Sequence, residues 1–253
     1  MTALSVTGLV KTFREKFGDV HALGPVSFDV PRGRFLCVLG PTGCGKTTLL
    51  RTIAGLEVPD SGSVDLMIRA DGRPPVVGYV FQQGALFPWM SIHDNVEFPL
   101  RARGSIDRIT RRMRVGTILE MVGLSNFSSS YPHQLSGGMQ QRAALARSLV
   151  VQPDILLLDE PFSSLDTRTS QDLQENLRNI WKEAATTVVF VTHSIEEAVY
   201  LAGEVFVLGH RPGRIVRRQT IDLPDPRSRL SQEFTEYLVS LRRTFKELVE
   251  EPD

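Results

Sequence analysis

The sequence predicts an α/β fold with a parallel sheet, and three observations carry this prediction. Four short, continuous apolar runs recur along the chain, as in strands that are buried on both faces, at residues 35–40, 74–81, 154–161 and 186–193. Segments with helical periodicity lie between these runs. A chain of 253 residues with 42% hydrophobic residues is also long enough to bury a sizeable core.

The elements follow in chain order. Residues 25–30 alternate apolar and polar side chains, which predicts a strand with one exposed face, and a helix is predicted over residues 47–56. The stretch 88–150 is mostly helical in pattern, with one helix predicted over residues 107–124, and it interrupts the alternation of strands and helices. A further helix is predicted over residues 170–181, where Leu, Leu and Ile recur at spacings of four and three.

The C-terminal third carries two more helix signals. Ser194 and Glu197 have the spacing of a capping box, which predicts a helix start. The segment 222–228, DLPDPRS, then breaks the pattern, and a last helix is predicted on the apolar stripe of Phe234, Leu238, Leu241, Phe245 and Leu248. This stripe spans about two heptads, fewer than a coiled-coil seam needs, so we expect the helix to pack against its own domain.

Composition excludes several classes of protein. Lys+Arg and Asp+Glu are equal at 29 each, so no global charge favours nucleic acid or an anionic membrane. No apolar run approaches the roughly 20 residues that cross a bilayer, and the N-terminus has no features of a signal peptide. Cys37 and Cys44 make no disulfide framework, which indicates a cytosolic chain, and the histidines have no metal-ligand spacing with them.

Residues 40–48 read GPTGCGKTT, and their first eight fit the phosphate-binding pattern G-x-x-x-x-G-K-[ST]. Glycines let backbone N–H groups approach phosphate oxygens, and the helix that follows presents its positive end to the same anion. A plain glycine-rich turn is the alternative, but the apolar strand before and the helical pattern after favour a nucleotide site. The residues predicted to bind are Gly40, Pro41, Thr42, Gly43, Cys44, Gly45, Lys46, Thr47 and Thr48.

A second motif, ILLLDE, ends at residues 159 and 160. Four apolar residues deliver Asp159 and Glu160 to the carboxyl end of a buried strand, the edge at which open α/β sheets bind ligands. Asp159 is predicted to be the acidic partner of Mg²⁺, and Glu160 is predicted to polarise the attacking water. A solvated acidic turn is the alternative, which the neighbouring phosphate loop disfavours.

The stretch 135–149, LSGGMQQRAALARSL, resembles the signature sequence of ABC ATPases, and the family's other motifs stand around it in order. YVFQQ supplies a Q-loop glutamine at Gln82, PFSSLD ends the D-loop at Asp166, and VTH supplies the switch histidine, His193. The resemblance covers about Leu4 to Ile221. It implies a P-loop NTPase (RecA-like) core with an antiparallel β subdomain and an inserted α-helical subdomain.

The resemblance also implies the domain organisation and the ligands. An ABC ATPase domain is expected over residues 1–223, with the helical subdomain at about 84–150, and a C-terminal amphipathic helix tail over 224–253. ATP and Mg²⁺ are the implied ligands. The residues implied to be catalytic are Glu160, His193, Gln82 and Lys46, and the implied metal ligands are Thr47, Gln82 and Asp159.

Further nucleotide contacts are implied by the same resemblance. Ser136, Gly137 and Gly138 would cover ATP held by a second subunit, and Asp166 belongs to the same nucleotide-binding set. A small-residue helix contact is the alternative for the two glycines. Phe13 fits the family's adenine-stacking position, with Phe17 as a substitute, and an ordinary core role is an equal alternative for both.

The implied partners are a second copy or a related ATPase subunit, integral membrane permease subunits and an extracytoplasmic solute-binding protein. Phe87, Pro88, Trp89 and Met90 form an apolar knot in the region that contacts the permease, although they could instead join the subdomain to the core. Residues 209–234 resemble the tail of the nitrate/sulfonate/taurine (also bicarbonate) importer subfamily. The alternative for this segment is purely local: Pro212-Gly213 would form a turn, and the nearby arginines would form a solvated basic edge, namely Arg211, Arg214, Arg217 and Arg218.

This resemblance implies an ATPase that powers uptake of a small anion from the cytoplasmic face of the inner (plasma) membrane, as a peripheral subunit. An exporter or a lipid or lipoprotein extraction system is the first alternative. A soluble, non-transport ABC ATPase is the second, and we expect no nucleic-acid partner because the spacing from Lys46 to Ser136 leaves no room for a long coiled coil.

Overall fold

The computed structural model describes residues 1–16, 18–82, 84–104 and 106–250. The chain divides into two compact units, the first made of Met1–Pro74 and Thr187–Asp253 and the second of Pro75–Thr186. The alternative adenine stacker Phe17 and the last residues of the predicted tail, 251–253, lie outside the described residues.

The described elements are, in chain order, β1 (Thr2–Glu15), β2 (Gly18–Pro31), β3 (Phe35–Leu39), α1 (Lys46–Ile53), β4 (Ser61–Leu66), β5 (Val77–Val80), α2 (Ile92–Arg103), α3 (Arg108–Met121), α4 (Gly137–Leu149), β6 (Ile155–Asp159), α5 (Thr167–Ala184), β7 (Thr187–Thr192), α6 (Ile195–Leu201), β8 (Glu204–Leu208), β9 (Ile215–Thr220) and α7 (Gln232–Glu250). The four apolar runs are confirmed as strands β3, β5, β6 and β7. β3, β6 and β7 are buried at every position, as strands covered on both faces must be.

The first unit contains an antiparallel sheet of three strands in the order β2-β1-β4. Over residues 24–31 of β2 the buried and exposed residues alternate, so the strand predicted at residues 25–30 is confirmed within a longer element. The antiparallel sheet agrees with the β subdomain that the family resemblance implies.

A second sheet of the first unit has the order β7-β3-β8-β9, with β3 parallel to β7 and β8, and β9 antiparallel at the edge. The register pairs Leu39 with Thr192, so β3 and β7 end side by side. Helix α1 packs against β7, and α6 packs against β3. The loops that follow β3 and β7 therefore lie at one edge of this sheet.

In the second unit, β5 and β6 form a parallel pair in which Val80 lies opposite Leu158. Helix α4 packs against β5, where the Ser148 hydroxyl donates to the Tyr79 carbonyl at 2.7 Å. Helices α2, α3 and α4 all fall within the range in which the helical subdomain is predicted.

The start of α6 differs from the prediction. The Ser194 hydroxyl accepts from the Glu197 N–H at 3.3 Å, as an N-cap does. The Glu197 carboxylate, however, accepts from the Thr192 hydroxyl, and the Ser194 N–H donates to that same hydroxyl oxygen at 3.0 Å. The reciprocal half of the predicted capping box is therefore wrong, because Thr192 at the end of β7 takes both of its partners.

The last helix packs as the sequence predicts. Phe234 and Leu241 of the apolar stripe are buried, and α7 contacts α6. Arg217 of β9 secures the helix by donating to the Ser240 hydroxyl at 2.8 Å and to the Thr244 hydroxyl. Within the described ranges, no helix combines the length and the apolarity needed to span a bilayer.

Candidate nucleotide site

The loop between β3 and α1 is built around glycines that are favoured there by backbone conformation or by close packing. Gly43 and Gly45 have φ angles of 83° and 102°, in the left-handed region that favours glycine. A Cβ on Gly45 would lie 2.5 Å from the Ala22 carbonyl, and one on Gly40 would lie 2.7 Å from the Cys44 sulfur. The backbone of this phosphate loop is therefore packed tightly against its surroundings.

Helix α1 begins without a side-chain cap and without an acidic residue in its first turn. The other described α-helices each start at a side chain that accepts from a first-turn N–H, and these caps are Ser91, Asp107, Ser136, Asp166, Ser194 and Ser231. Helix N–H groups need acceptors and carry a positive partial charge. The start of α1 is thus suited to an anion such as phosphate.

Lys46 brings a full positive charge to the same place. Its side chain is only 4% exposed, and its ammonium donates to the carbonyls of Gly40 and Pro41, each at 2.9 Å. Thr47 and Thr48 follow in the first turn of α1 and are half-buried. The structure therefore brings the lysine, the threonines and the loop backbone together as the motif predicts.

His193 lies at the same sheet edge as the phosphate loop. It directly follows β7, and the Gly40 N–H donates to the carbonyl of Thr192 at 3.4 Å. The His193 side chain is exposed. The parallel pairing of β3 and β7 is what places these two sequence motifs next to each other.

In the second unit, Asp159 is the last residue of β6 and is 2% exposed. The Tyr79 hydroxyl donates to the Asp159 carboxylate at 3.2 Å, which orients it. Gln82 is exposed and lies two residues beyond the end of β5. Since β5 and β6 are parallel and in register, Gln82, Asp159 and Glu160 all lie at the carboxyl edge of this pair.

Glu160 has an unusual backbone. Its φ is 43°, a conformation that costs a non-glycine residue roughly 1–3 kcal/mol. The Glu160 carbonyl accepts from both the N–H and the hydroxyl of Ser163, at 3.3 and 3.0 Å, and these bonds hold the turn. Backbone strain of this kind concentrates at functional sites, which fits a carboxylate aimed by the end of a strand.

The signature sequence forms the start of α4. The Ser136 hydroxyl accepts from the Met139 N–H at 3.3 Å. A Cβ on Gly138 would lie 2.8 Å from Leu165, whereas a Cβ on Gly137 would meet nothing within 4 Å. Close packing inside the chain thus accounts for the glycine at 138 but not for the one at 137.

Asp166 caps helix α5. Its carboxylate accepts from the Thr169 N–H at 3.0 Å, and the hydrogen bonds to Thr169 hold the pKa of Asp166 below its usual value. The side chain is exposed at the start of the helix.

Phe13 is half-buried in β1 and makes a cation–π contact with Lys11, whose ammonium lies 5.1 Å from the centre of the ring. Phe13 is therefore not a fully buried core residue, and Lys11 already lies over its ring. Its contact with adenine stays a prediction.

The apolar knot, residues 87–90, is held by one buried side chain. The Asn95 amide accepts from the Phe87 N–H at 2.8 Å and donates to the carbonyls of Phe87 and Met90, each at 3.1 Å. On this fixed loop Trp89 is 70% exposed, with its ring 5.6 Å from that of Phe87. A role in joining the subdomain to the core therefore does not explain why the Trp89 side chain is exposed.

Sequence reasoning missed a polar link between the signature helix and the segment on both sides of Gln82. Arg147 of α4 donates to the carbonyls of Ala85 and Gly84 at 2.9 and 3.2 Å, and Gln141 donates to Phe81 at 3.3 Å. Burial lowers the pKa of Arg147. The available signal was the presence of both polar side chains in a helix that is otherwise rich in Ala and Leu.

The arginines of the tail segment, for which a solvated basic edge is the alternative, also make specific contacts, although Arg211, Arg214 and Arg218 are exposed. Arg211 donates to the Gly43 carbonyl of the phosphate loop at 2.6 Å, Arg217 binds α7, and Arg218 donates to the Ser27 carbonyl at 2.7 Å. These contacts join residues far apart in sequence, so no local pattern could predict them.

Comparison with known proteins agrees with this geometry. The family model described as "ABC transporter" matches residues 23–163. An ABC transporter ATP-binding protein of Methanocaldococcus jannaschii is 46% identical over 97% of this chain and 92% of its own length. A nitrate import ATP-binding protein of Synechocystis is 45% identical over 87% of this chain and 83% of its own length.

A taurine import ATP-binding protein of Rhizobium johnstonii is 46% identical over 83% of this chain and 80% of its own length. Among solved structures, the dimeric post-hydrolysis state of the ATP-binding cassette MJ0796 with ADP and Pi matches with a TM-score of 0.78. It shares 32% sequence identity and covers 87% of this chain and 99% of that one.

Proposed function

The chain belongs to the ABC transporter family, and from this premise we propose that it is the ATP-hydrolysing subunit that powers uptake of a small anion through a separate permease. The observation that carries the proposal is the phosphate loop, in which the buried ammonium of Lys46 lies beside the uncapped start of α1. Relatives named for nitrate and taurine import support the direction of transport and the substrate class.

In the first unit, the loop N–H groups and Lys46 bind the β- and γ-phosphates of ATP. His193, exposed at the same edge, contacts the γ-phosphate. A buried ammonium and a helix N-terminus in a site of reduced dielectric offset phosphate charge more strongly than they would in water.

In the second unit, Glu160 orients or polarises the attacking water, and Gln82 senses the γ-phosphate. The amide of Gln82 and the carboxylate of Asp159 are oxygen donors of the kind that Mg²⁺ prefers, and in the first unit the hydroxyl of Thr47 is another. Bound Mg²⁺ would supply neutralisation of charge on the phosphates. Burial and the bond from Tyr79 keep the Asp159 carboxylate in one orientation.

The start of α4 serves a second protomer. The Ser136 hydroxyl and the amides of Gly137 and Gly138 cover the γ-phosphate of ATP bound to the partner, with Asp166 contributing from its D-loop. The exposed, uncrowded Gly137 supports this role, since none of the described residues would lie within 4 Å of a Cβ at that position. ATP would then favour the closed pair, and a decisive shift needs roughly 5.5 kcal/mol of differential affinity.

The apolar knot couples ATP hydrolysis to the permease. Trp89 is displayed on a loop fixed by Asn95, and Arg147 ties the neighbouring carbonyls to the signature helix. A short permease helix could seat on such a surface. The chain would therefore lie peripherally on the cytoplasmic face of the inner membrane, and an extracytoplasmic solute-binding protein would deliver the anion.

The experiment is affinity capture of the tagged chain from its native membranes, followed by anion uptake by the captured complex in vesicles. We expect integral permease subunits to co-purify and nitrate, taurine or another sulfonate to be taken up with ATP. Recovery of the chain with ribosomes or DNA would contradict the transport assignment. Efflux of the anion, or extraction of lipid, by the captured complex would instead assign the chain to an export system.

A matched pair of variants tests the coupling surface in the same vesicles. Trp89→Ala should retain ATP binding and lose uptake, whereas Leu230→Ala, another exposed apolar side chain, should retain both. A Trp89→Ala protein that fails to fold would instead indicate a structural role for the knot.

A further inference from the structure

The loop that joins β8 to β9 packs against both β2 and the phosphate loop. The Gly213 N–H donates to the Ala22 carbonyl and the Gly24 N–H donates to the Gly213 carbonyl, both at 3.1 Å. A Cβ on Gly213 would overlap the carbonyl oxygen of Cys44. Glycine at this position lets the two backbones approach to contact distance.

Arg211, two residues earlier, reaches the phosphate loop from this contact. Its Nε donates to the Gly43 carbonyl oxygen at 2.6 Å, a short, charge-assisted hydrogen bond. Gly43 is one of the left-handed residues, with φ of 83°. Arg211 therefore acts on the carbonyl of a residue that has no side chain to restrict its backbone.

The orientation of that peptide group matters for an anion. In a trans peptide the carbonyl and the next N–H point in opposite directions, so binding the Gly43 carbonyl to Arg211 turns the Cys44 N–H the other way. That N–H donates to the Pro41 carbonyl across the loop at 3.4 Å. A bond of this length is weak, and the amide can exchange its acceptor for a phosphate oxygen.

We propose that Arg211 is a positioning residue for nucleotide binding, which keeps the Gly43 carbonyl turned away from the phosphates and the Cys44 amide turned toward them. Without this bond the peptide plane can rotate and present a carbonyl dipole to the anion, which repels it. The inference rests on the phosphate loop being the nucleotide site. It predicts that Arg211 affects ligands with phosphates and leaves adenosine binding unchanged.

The test compares Arg211→Gln with Arg214→Gln. Arg214→Gln is the control because it removes the same charge from the same loop. The Arg214 side chain lies against Gly24 and not against Gly43, since a Cβ built on Gly24 would lie 2.6 Å from the Arg214 Nε. Dissociation constants are measured for fluorescent ATP and ADP analogues and for a fluorescent adenosine, and melting temperatures are recorded for each protein.

We expect Arg211→Gln to weaken the binding of both nucleotide analogues by at least about ten-fold, the lower end of the effect of one hydrogen bond to a charged group. Arg214→Gln should stay within about two-fold of the wild type, and Arg211→Lys, which keeps a charged donor, should regain most of the affinity. Equal weakening by both Gln variants would reveal a general charge effect and overturn the inference, as would unchanged binding in Arg211→Gln or its failure to fold. A wild-type protein that binds no analogue would overturn the proposed function itself.

Discussion

Replacement of Gly137 by alanine should separate folding from catalysis. Gly137 is the first residue of α4, its φ lies outside the left-handed region, and an added Cβ would meet nothing within 4 Å. A glycine-to-alanine change at such a compatible site stabilises a protein by roughly 0.4–1 kcal/mol. For a chain of this size, the melting temperature should therefore rise by about 1–4 °C.

The same methyl group should slow ATP hydrolysis. It would project from the surface that we propose covers the γ-phosphate of the partner, and would keep the amides of residues 137 and 138 from approaching it. Loss of one donor of this kind costs about 10²–10³-fold in kcat. We expect steady-state phosphate release to fall by about 100-fold, with binding of a fluorescent ATP analogue to the isolated protomer unchanged.

Gly116→Ala in α3 is the matched control, because a Cβ there also meets nothing within 4 Å. It should raise the melting temperature and leave hydrolysis unchanged. The reasoning is refuted if Gly137→Ala turns over at the wild-type rate, or if it lowers the melting temperature by several degrees.

Other variants test single parts of the account. Glu160→Gln should bind ATP normally and hydrolyse it about 10²–10⁴-fold more slowly, whereas Lys46→Ala should lose nucleotide affinity itself; phosphate release and analogue titration distinguish the two, and a Glu160→Gln protein with near-normal turnover would remove that residue from catalysis. Arg227→Met loses bonds to the carbonyls of Val199, Tyr200 and Ala202 at the end of α6, so thermal denaturation should show destabilisation of about 2 kcal/mol, and an unchanged melting temperature would contradict this. The lowered pKa of Asp166 contributes stability that is present above the unfolded-state value near pH 4 and is lost as the pH falls through the folded-state value. Asp166→Asn should thus flatten the acid side of the stability profile, and a profile of unchanged slope would contradict that assignment.

The sequence predicts best the elements whose signal is local. β3, β6 and β7 are continuous apolar runs because both faces are covered, and their burial is complete. The glycines of the phosphate loop are likewise a local signal, because positive φ angles and close backbone contacts favour a residue without a side chain. The family motifs then indicate which strand ends carry chemistry.

Elements that depend on distant contacts escape such reasoning. No residue of β4 is fully buried, and the strand shows no strict alternation; it forms because it pairs with β1, more than 50 residues away in sequence. The contact of Arg211 with Gly43 spans 168 residues, and that of Arg147 with Ala85 spans 62. The capping box at Ser194 is only half formed for a different, local reason, since the nearby Thr192 hydroxyl bonds to both the Ser194 N–H and the Glu197 carboxylate.

The central claim, that two protomers complete each hydrolytic site, is tested most directly by the ATPase rate per protomer across a dilution series, with light scattering at every concentration. The account predicts that the rate falls on dilution together with the population of dimer, and that Glu160→Gln with ATP remains dimeric. A rate that stays constant while light scattering reports monomers throughout would contradict it.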